Sequence, residues 1–344
     1  MQPQPRREVY DAYWRLAAER QRILFARIEG APQPWTADPI LSAFKFCNAY
    51  RASDRVSQWL IREVIYADGD FTPEDRLLRI VLARLFSKPE TWQLLRDAHG
   101  EPSWRSFDHQ GYTETLDRAF AEGQKLYTGA FILCATRAFG HSRKHRNHLA
   151  LVEHMIGERD LARSVARAAS LRELVQELRS FPLLGPFMSY QLAIDINYSE
   201  LCDFDESEYT VAGPGALRGI AKCFTDTAGL SEGQLIMWMT ARQEQEFDRR
   251  GIDFRSLYGR RLQAIDIQNL LCEIDKYARA AFPELRSARS RIKTRFTPSG
   301  PLPDPFYPPK WGLSVPVRLR SVPALHGSEP AAGQAAPARA LLRA

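Results

Sequence analysis

The sequence lacks the motifs and segments that would place it in several large protein classes. Its five cysteines lie far apart, and no two have the CxxC spacing of iron–sulfur and zinc sites. The P-loop pattern GxxxxGK[ST] is absent, which argues against a P-loop kinase or ATPase. No apolar run approaches the roughly eighteen residues of a membrane span. The polar, charged N-terminus is not typical of a signal peptide. We therefore expect an intracellular protein, cytoplasmic or nucleoid-associated, without membrane contact, metal or cofactor.

The composition is that of a globular protein with a substantial core. The 344 residues are 44% hydrophobic and 26% charged, enough for one large or two ordinary domains. The net charge of +6 is compatible with a nucleic-acid partner but does not by itself indicate one.

Apolar residues recur at helical spacing along most of the chain, whereas strand patterns are few and short. We therefore predict an all-α fold. The predicted helices cover residues 9–28, 39–66 (with a break near Ser53), 73–86, 88–98, 112–122, 128–139, 148–155, 160–168, 170–180, 232–249 and 257–281. The predicted organisation is an N-terminal helical extension (1–33), a helical domain (34–297) and a largely disordered tail rich in Pro, Ala and Arg (298–344).

A tight turn at residues 184–186 is typical of a DNA-binding helix-hairpin-helix. Gly185 is free to take a positive φ, and Pro186 suits a first helical position. The backbone N–H groups of such a turn could hold a phosphate. Twenty residues separate Gly185 from Asp205, a spacing similar to that between hairpin glycine and catalytic aspartate in helix-hairpin-helix DNA glycosylases. Phe187 stands where the lyase members of that class have a lysine, so Schiff-base chemistry by that route is not expected.

Four carboxylates crowd the segment that follows, and three of them are our candidates for catalysis. Such acid-rich loops are commonly solvated, and that interpretation stays open. A carboxylate here could instead act as a general base on an amine or water, or stabilise positive charge at a reacting carbon. Asp205 is the first candidate, with Glu206 and Glu208 as alternatives.

The turn at residues 213–215 can form a phosphate site. Gly213 and Gly215 free the backbone, a helix N-terminus adds partial positive charge, and Arg218 adds a full charge. The alternative is an ordinary helix start.

Polar side chains among aromatics suggest a DNA-facing surface on residues 44–61. Asn48, Arg51 and Arg55 fall at helical spacing on one face and could meet phosphate or a base edge. A structural ion pair between Arg51 and Asp54 is the alternative.

Further candidates for DNA contact lie in three cationic stretches. Lys276 lies on one helical face with Asn269 and Glu273 and is a candidate for DNA contact. The alternative is that this face is solvated and contains an internal ion pair. Arg143 and Lys144 belong to the basic segment 141–148, which we interpret as a phosphate-facing loop. Residues 286–295 carry five positive charges and no acid, which is compatible with a solvated tail or with an arm that tracks phosphates.

Four segments together resemble a known helical family. They are FKFCNAYRASDRVSQWLI, LLGPFMSYQLAIDINYS, EYTVAGPGALRGI and DIQNLLCEIDKYAR. The family includes the α-glutamyl/putrescinyl thymine pyrophosphorylases, and the same helical domain accompanies some 5-hydroxymethyluracil DNA kinases. The resemblance spans roughly residues 34–297. It implies a helix-hairpin-helix, DNA-glycosylase-like helical fold that works on modified thymine in double-stranded DNA.

The resemblance also implies a reaction and partners. In the family's pathway a kinase converts 5-hydroxymethyluracil in DNA to a pyrophosphate ester, and a transferase then displaces pyrophosphate with an amine or amino acid. The leading hypothesis is that transferase, with an amine co-substrate and a separate P-loop kinase as partner. A monofunctional glycosylase using Asp205 and a non-catalytic DNA-binding module for the kinase are the alternatives.

Overall fold

The computed structural model describes residues 2–129, 137–285, 291–297, 300 and 302–316. Within these ranges most residues are helical, which confirms the all-α prediction. Most of the helix predicted at 128–139, part of the basic run at 286–290, and the tail from residue 317 lie outside the described residues.

Fourteen α-helices make up the described body. They are α1 Arg7–Ile28, α2 Pro39–Ala43, α3 Arg55–Trp59, α4 Pro73–Phe86, α5 Pro89–His99, α6 His109–Ala121, α7 Lys144–Glu153, α8 Leu161–Arg167, α9 Leu171–Arg179, α10 Pro186–Asn197, α11 Pro214–Cys223, α12 Glu232–Ala241, α13 Gln243–Asp248 and α14 Ala264–Ala281. Turns of π-helix continue α3 (Leu60–Ile65) and α7 (His154–Glu158), and short 3-10 turns cover Arg51–Ser53 and Pro309–Trp311. Two short strands, β1 Gln4–Pro5 and β2 Phe224–Asp226, pair antiparallel. No helix of the described residues combines the length and apolar character that a membrane crossing requires.

The long helix predicted at 39–66 is interrupted over more residues than expected. After α2 the chain is extended, because Phe44 and Phe46 alternate with the exposed Lys45 at the period of a strand. Lys45 N–H donates to Thr294 O (2.9 Å), and Phe296 N–H donates to Ala43 O (2.9 Å). The described end of the basic run therefore lies against the body and is not a solvated tail.

The first helix is part of the core. Tyr13 and Trp14 are fully buried, and the hydroxyl of Tyr13 donates to Ile267 O on α14 at 3.1 Å. Arg6 N–H donates to Cys223 O (2.7 Å) next to the β1–β2 pair. Helix α1 thus packs against α14, and the boundary predicted at residue 33 stays a prediction.

Helix α10 crosses the interior and positions the site. It packs against α9 and α4, and from Ser189 to Asn197 every residue is buried. A helix buried on all sides has no polar face, and its sequence PFMSYQLAIDIN accordingly shows no amphipathic period. The polar residues it carries, Gln191 and Asp195, are therefore enclosed by protein.

Helices α11 and α14 touch closely because two glycines face α14. A Cβ at Gly219 would collide with the carbonyl oxygen of Leu271, and a Cβ at Gly215 would collide with the sulfur of Cys272. The close approach requires residues without side chains at these positions. The role of Gly215 in this structure is thus helix packing.

Replacing Gly219 with alanine is expected to lower the free energy of unfolding by about 1–3 kcal/mol, because the helices must separate to admit the methyl group. Gly185→Ala is the matched control, since no atom lies within 4 Å of its Cβ position and its φ of −74° suits alanine. Urea denaturation followed by circular dichroism measures both. Equal midpoints for the two variants would contradict the packing argument.

Candidate functional site

The centre of the site is a buried carboxylate held by two arginines. Asp195 on α10 has no exposed side-chain surface. Its Oδ1 lies 2.8 Å from Arg51 Nη2 and 2.7 Å from Arg84 Nη2, and its Oδ2 pairs with Arg84 Nε. Removing a carboxylate from water is costly, and the two guanidinium groups compensate that cost for Asp195.

Arg51 makes several contacts inside this cluster. Its Nε donates to Gln191 Oε1 at 3.0 Å, and its guanidinium lies 5.4 Å from the ring centroid of Tyr198. The side chain is 2% exposed, so the predicted direct DNA contact of Arg51 does not agree with the structure. The alternative pair with Asp54 is also wrong, because the partner is Asp195, which lies far along the chain.

The other two residues of that predicted face are separated from Arg51. Asn48 is engaged within the fold, since its Nδ2 donates to Ser53 O at 2.7 Å and its Oδ1 accepts from Arg20 at 3.1 Å. Arg55 is exposed at the first position of α3. Because the chain is extended at Asn48, the three side chains do not share one helical face.

Two further carboxylates lie next to Arg51 and have raised pKa values. Asp266 accepts from the backbone N–H groups of Arg51 (2.7 Å) and Gln263 (2.9 Å), and burial raises its pKa to about 7. Glu206 is 3% exposed, with Oε1 at 3.3 Å from Arg260 Nη2, and burial raises its pKa above the ordinary value. Carboxyl groups that titrate closer to neutral pH are suited to accept or donate protons.

The three predicted catalytic carboxylates have different surroundings. Asp205 is exposed, and its Oδ1 accepts from Ser207 N–H at 2.7 Å, so it shapes the local turn. Glu208 is also exposed, whereas Glu206 alone of the three is buried in the cluster. The catalytic role of each stays a prediction, and the geometry favours Glu206.

Two donors in this cluster lack an acceptor among the described residues. They are Arg51 Nη1 and Gln191 Nε2, both on fully enclosed side chains. Buried polar atoms are rarely left unpaired, and an exception at a charged cluster indicates a place for a ligand or a water.

Two helix N-termini lie side by side, with Gly185 exposed and Gly213 buried. Gly185 and Gly213 are the N-caps of α10 and α11, each is followed by proline, and neither helix has a side-chain cap. A Cβ at Gly213 would lie 2.6 Å from the ring of Phe187, so the two N-termini are adjacent. The positive φ of the hairpin falls on Leu183 (68°), and Gly185 takes −74°, which corrects the sequence prediction. Free N–H groups at both ends favour an anion.

Arg218 is tied to α14. Its Nε lies 3.0 Å from Asp275 Oδ2, and about a third of its side chain is exposed. Lys222 and Arg279 contact the same carboxylate, which is fully buried. Three cations around one carboxylate leave net positive charge on this side of α11, so a phosphate role for Arg218 remains open.

Lys276 lies near the N-terminal turn of α11. Its Nζ is 2.8 Å from Glu273 Oε1 and 3.1 Å from the sulfur of Cys272, the atom against which Gly215 packs. Lys293 contacts the other oxygen of Glu273 at 2.6 Å. Burial alone would raise the pKa of Glu273, but the two ammonium groups lower it to about 2. The structure thus brings Lys276 close to Gly215 and leaves one positive charge in excess.

The predicted basic loop 141–148 is mainly the start of α7. Arg143 Nε lies 3.8 Å from Asp117 Oδ1, and Lys144 Nζ lies 4.2 Å from the ring centroid of Tyr127. Both side chains are partly exposed, and they belong to the α6–α7 region of the molecule. A shallow depression of about 300 Å³ lies beside them, lined by His109, Gln110, Thr113, Glu114, Asp117, His141 and Arg146.

The buried ionisable groups predict a fall in stability as pH rises through 7. The pKa of Asp266 is raised from 3.8 to about 7, so the folded state binds this proton more tightly than the unfolded state. Its contribution is complete below the unfolded value and is lost as pH rises through 7. Burial lowers the pKa of His148 to about 3, and that contribution is lost only as pH falls below the ordinary histidine value. The melting temperature should therefore fall between about pH 6.5 and 8, and less so in Asp266→Asn. If the melting temperature of wild type and of Asp266→Asn fell equally, the pH dependence would not come from Asp266.

Sequence reasoning missed the residues that organise the site. Asp195, Gln191 and Asp266 were not candidates, because their partners lie far away along the chain. One signal was available, since Gln191 and Asp195 stand four residues apart in an otherwise apolar helix. A polar pair at that spacing inside a fully buried helix indicates an internal polar cluster.

Comparison with known proteins gives two matches. A family model described as the helical domain of 5-hmdU DNA kinase matches residues 7–287. A 5-hmdU DNA kinase of Bacillus phage SP10 is 26% identical over an alignment of 294 residues, and the match covers 80% of this chain and 46% of that protein. The chain therefore spans less than half the length of this relative. No solved structure matches the chain.

Proposed function

The chain belongs to the family of 5-hmdU DNA kinase helical domains, and on this basis we propose that it takes part in thymine hypermodification in phage DNA. The matched region begins at residue 7 and includes α1, earlier than the start near residue 34 inferred from sequence. It contains Asp195, Glu206, Asp266 and both helix N-termini. The proposed substrate is double-stranded DNA that carries a modified thymine.

The proposed fold assignment is a helix-hairpin-helix of the DNA-glycosylase kind. Helix α9 packs against α10, and residues 180–185 connect them through the turn at Gly185. The uncapped N-terminus of α10 is exposed there, and the N-terminus of α11 lies beside it. This pair, with Lys276 nearby, would hold the DNA backbone or the pyrophosphate group. Arg55, Arg143 and Lys144 would add contacts to the DNA backbone, and Arg218 would add charge beside α11.

The proposed reaction replaces the pyrophosphate of 5-pyrophosphoryloxymethyl-uracil with an amine or amino acid. The amine nitrogen forms a bond to the methylene carbon, and the carbon–oxygen bond to pyrophosphate breaks, so that pyrophosphate leaves with the electron pair. The proton lost from nitrogen goes to a carboxylate. The observation that carries this proposal is Glu206, a buried carboxylate with a raised pKa beside Arg260.

Access to the methylene group would require the base to leave the helical stack. The guanidinium of Arg260, which contacts Glu206, would then supply positive charge close to the reacting base. In this account Arg51 holds the buried cluster together from inside the protein, and Gly185 contacts the DNA at its surface.

DNA binding should weaken by roughly tenfold or more between 50 and 200 mM salt if several phosphates are neutralised. Fluorescence anisotropy with duplex DNA measures this. Gly185→Val is expected to weaken binding, because the added side chain occupies the open space before the hairpin, while circular dichroism stays unchanged. Binding that does not depend on salt would remove the DNA-backbone part of the proposal.

The reaction is tested by nucleoside mass spectrometry after incubation of pyrophosphorylated 5-hydroxymethyluracil DNA with a panel of amines. An amine adduct with release of pyrophosphate supports the transferase. Release of free base supports a monofunctional glycosylase instead.

A second candidate is a non-catalytic module that holds modified DNA for a separate P-loop kinase. It is favoured by one observation, that the chain matches a helical domain and spans 46% of its kinase relative. DNA binding with neither product would support this module.

A further inference from the structure

A segment outside the family match covers the buried cluster. Residues 302–316, which we term the strap, follow the region matched by the family model. The strap is anchored through side chains of the body: Gln58 exchanges two hydrogen bonds with the backbone of Phe306 (2.8 and 2.9 Å), and the hydroxyls of Tyr307 and Ser53 are 2.9 Å apart. The described part of the predicted tail (298–344), residues 302–316, thus contacts the body.

The strap continues over the mouth of the cluster through Lys310. Its Nζ donates to Ser199 O (2.9 Å) and Cys202 O (2.6 Å), at the C-terminal end of α10 and the start of the acidic loop. It also lies 3.2 Å from Asp203. These contacts join the strap to the loop that carries Glu206.

Next to it, the indole of Trp311 lies between two side chains of the body, and we term the space that it fills the slot. The guanidinium of Arg260 lies 3.9 Å from its centroid, and the ring of Tyr198 meets it edge-on at 5.5 Å. Arg260 in turn contacts Glu206, and Tyr198 contacts Arg51. An aromatic ring thus occupies the position that touches both halves of the buried cluster.

We propose that the slot now filled by Trp311 is a pyrimidine-binding slot, and that the strap closes it until a base displaced from DNA takes the place of the indole. The inference rests on the proposed function. A guanidinium face and an aromatic edge are the surroundings that hold an unstacked base. Arg51 packs against Tyr198, and its Nη1, which lacks an acceptor among the described residues, is a donor that a pyrimidine carbonyl oxygen can pair with.

The strap is attached through side chains, and of its residues only Tyr307 and Pro308 are buried. Four prolines at residues 303, 305, 308 and 309 remove backbone donors, and the contacts described above all depend on side chains. A segment held this way opens at lower free energy than a helix of the core. When only a fraction of molecules is open, the apparent affinity for the base is reduced by that fraction.

The test compares binding of duplex DNA with a single 5-hydroxymethyluracil opposite guanine. Trp311→Ala empties the slot, and Gln58→Ala removes two strap bonds without touching the slot. Both variants are expected to bind the modified duplex about tenfold more tightly than wild type, if the slot is open in roughly one wild-type molecule in ten. Trp238→Ala is the control, since Trp238 stacks on Arg242 at 5.1 Å in α12, away from the strap, and should bind as wild type does.

Hydrogen exchange gives a second measurement. The strap should lose protection when wild-type protein binds the modified duplex, and lose less with unmodified DNA. The proposed slot would be wrong if Gln58→Ala bound the modified duplex no more tightly than wild type and the wild-type strap stayed protected from exchange. This outcome can be read even if Trp311→Ala fails to fold. If neither wild type nor the variants bound DNA, the proposed function itself would be refuted. DNA binding that is the same in wild type and in the strap variants would refute only the slot.

Discussion

Asp195→Asn is expected to lower the free energy of unfolding by about 3–5 kcal/mol, the usual cost of leaving a buried charge without its partner. The carboxylate of Asp195 is the shared partner of Arg51 and Arg84, and all three side chains are enclosed. Asparagine fits the same space but supplies no negative charge. Two guanidinium groups would then face each other without compensation.

Urea denaturation measures this effect, with Asp203→Asn as the control. Asp203 also pairs with a cation, Lys310, at 3.2 Å, but its side chain is 81% exposed. An exposed pair contributes at most about 1 kcal/mol, so the control should remain close to wild type. If Asp195→Asn were no less stable than Asp203→Asn, the charge balance described for α10 would be wrong.

Glu206→Gln is expected to reduce turnover on pyrophosphorylated 5-hydroxymethyluracil DNA by on the order of a hundredfold or more, the usual scale for loss of a general base. Glutamine keeps the shape of the side chain and removes its capacity to accept a proton. Affinity for DNA should be unchanged, because Glu206 is buried and Arg260 retains an oxygen acceptor.

The acidic loop supplies matched controls for that experiment. Glu208→Gln makes the same substitution two residues away at an exposed position, and Asp205→Asn tests the first candidate from sequence. Adduct formation at wild-type rate by Glu206→Gln, with loss in Asp205→Asn, would return the catalytic role to Asp205. Equal activity in all three variants would direct attention to Asp266.

Local sequence signals predicted much of the helical framework. Helix α4 covers the residues predicted for it, because Thr72 and Asp75 form a capping box around Pro73. Helix α9 has buried leucines and valine at helical spacing, and it also lies where expected. These elements are fixed by neighbouring residues, which a single sequence shows directly.

The sequence predictions that failed concern residues whose contacts lie far away along the chain. Phe44 and Lys45 leave the predicted helix where residues 43–45 pair with 294–296, a partner that no local pattern reveals. Arg51 had the expected ionic character, but its partner Asp195 could not be inferred from the chain alone. Glu206 was a candidate because of its type and position, while its burial depends on Arg260 and the strap.

The contact between α1 and α14 affects the order of folding during synthesis. Tyr13 donates to Ile267, and β1 pairs with β2, so the first helix finds its partners only after most of the chain has been synthesised. Until then Tyr13 and Trp14 have no enclosing surface, and contacts between such distant segments form slowly. A nascent chain that stalls before α14 would present these aromatics to chaperones and proteases.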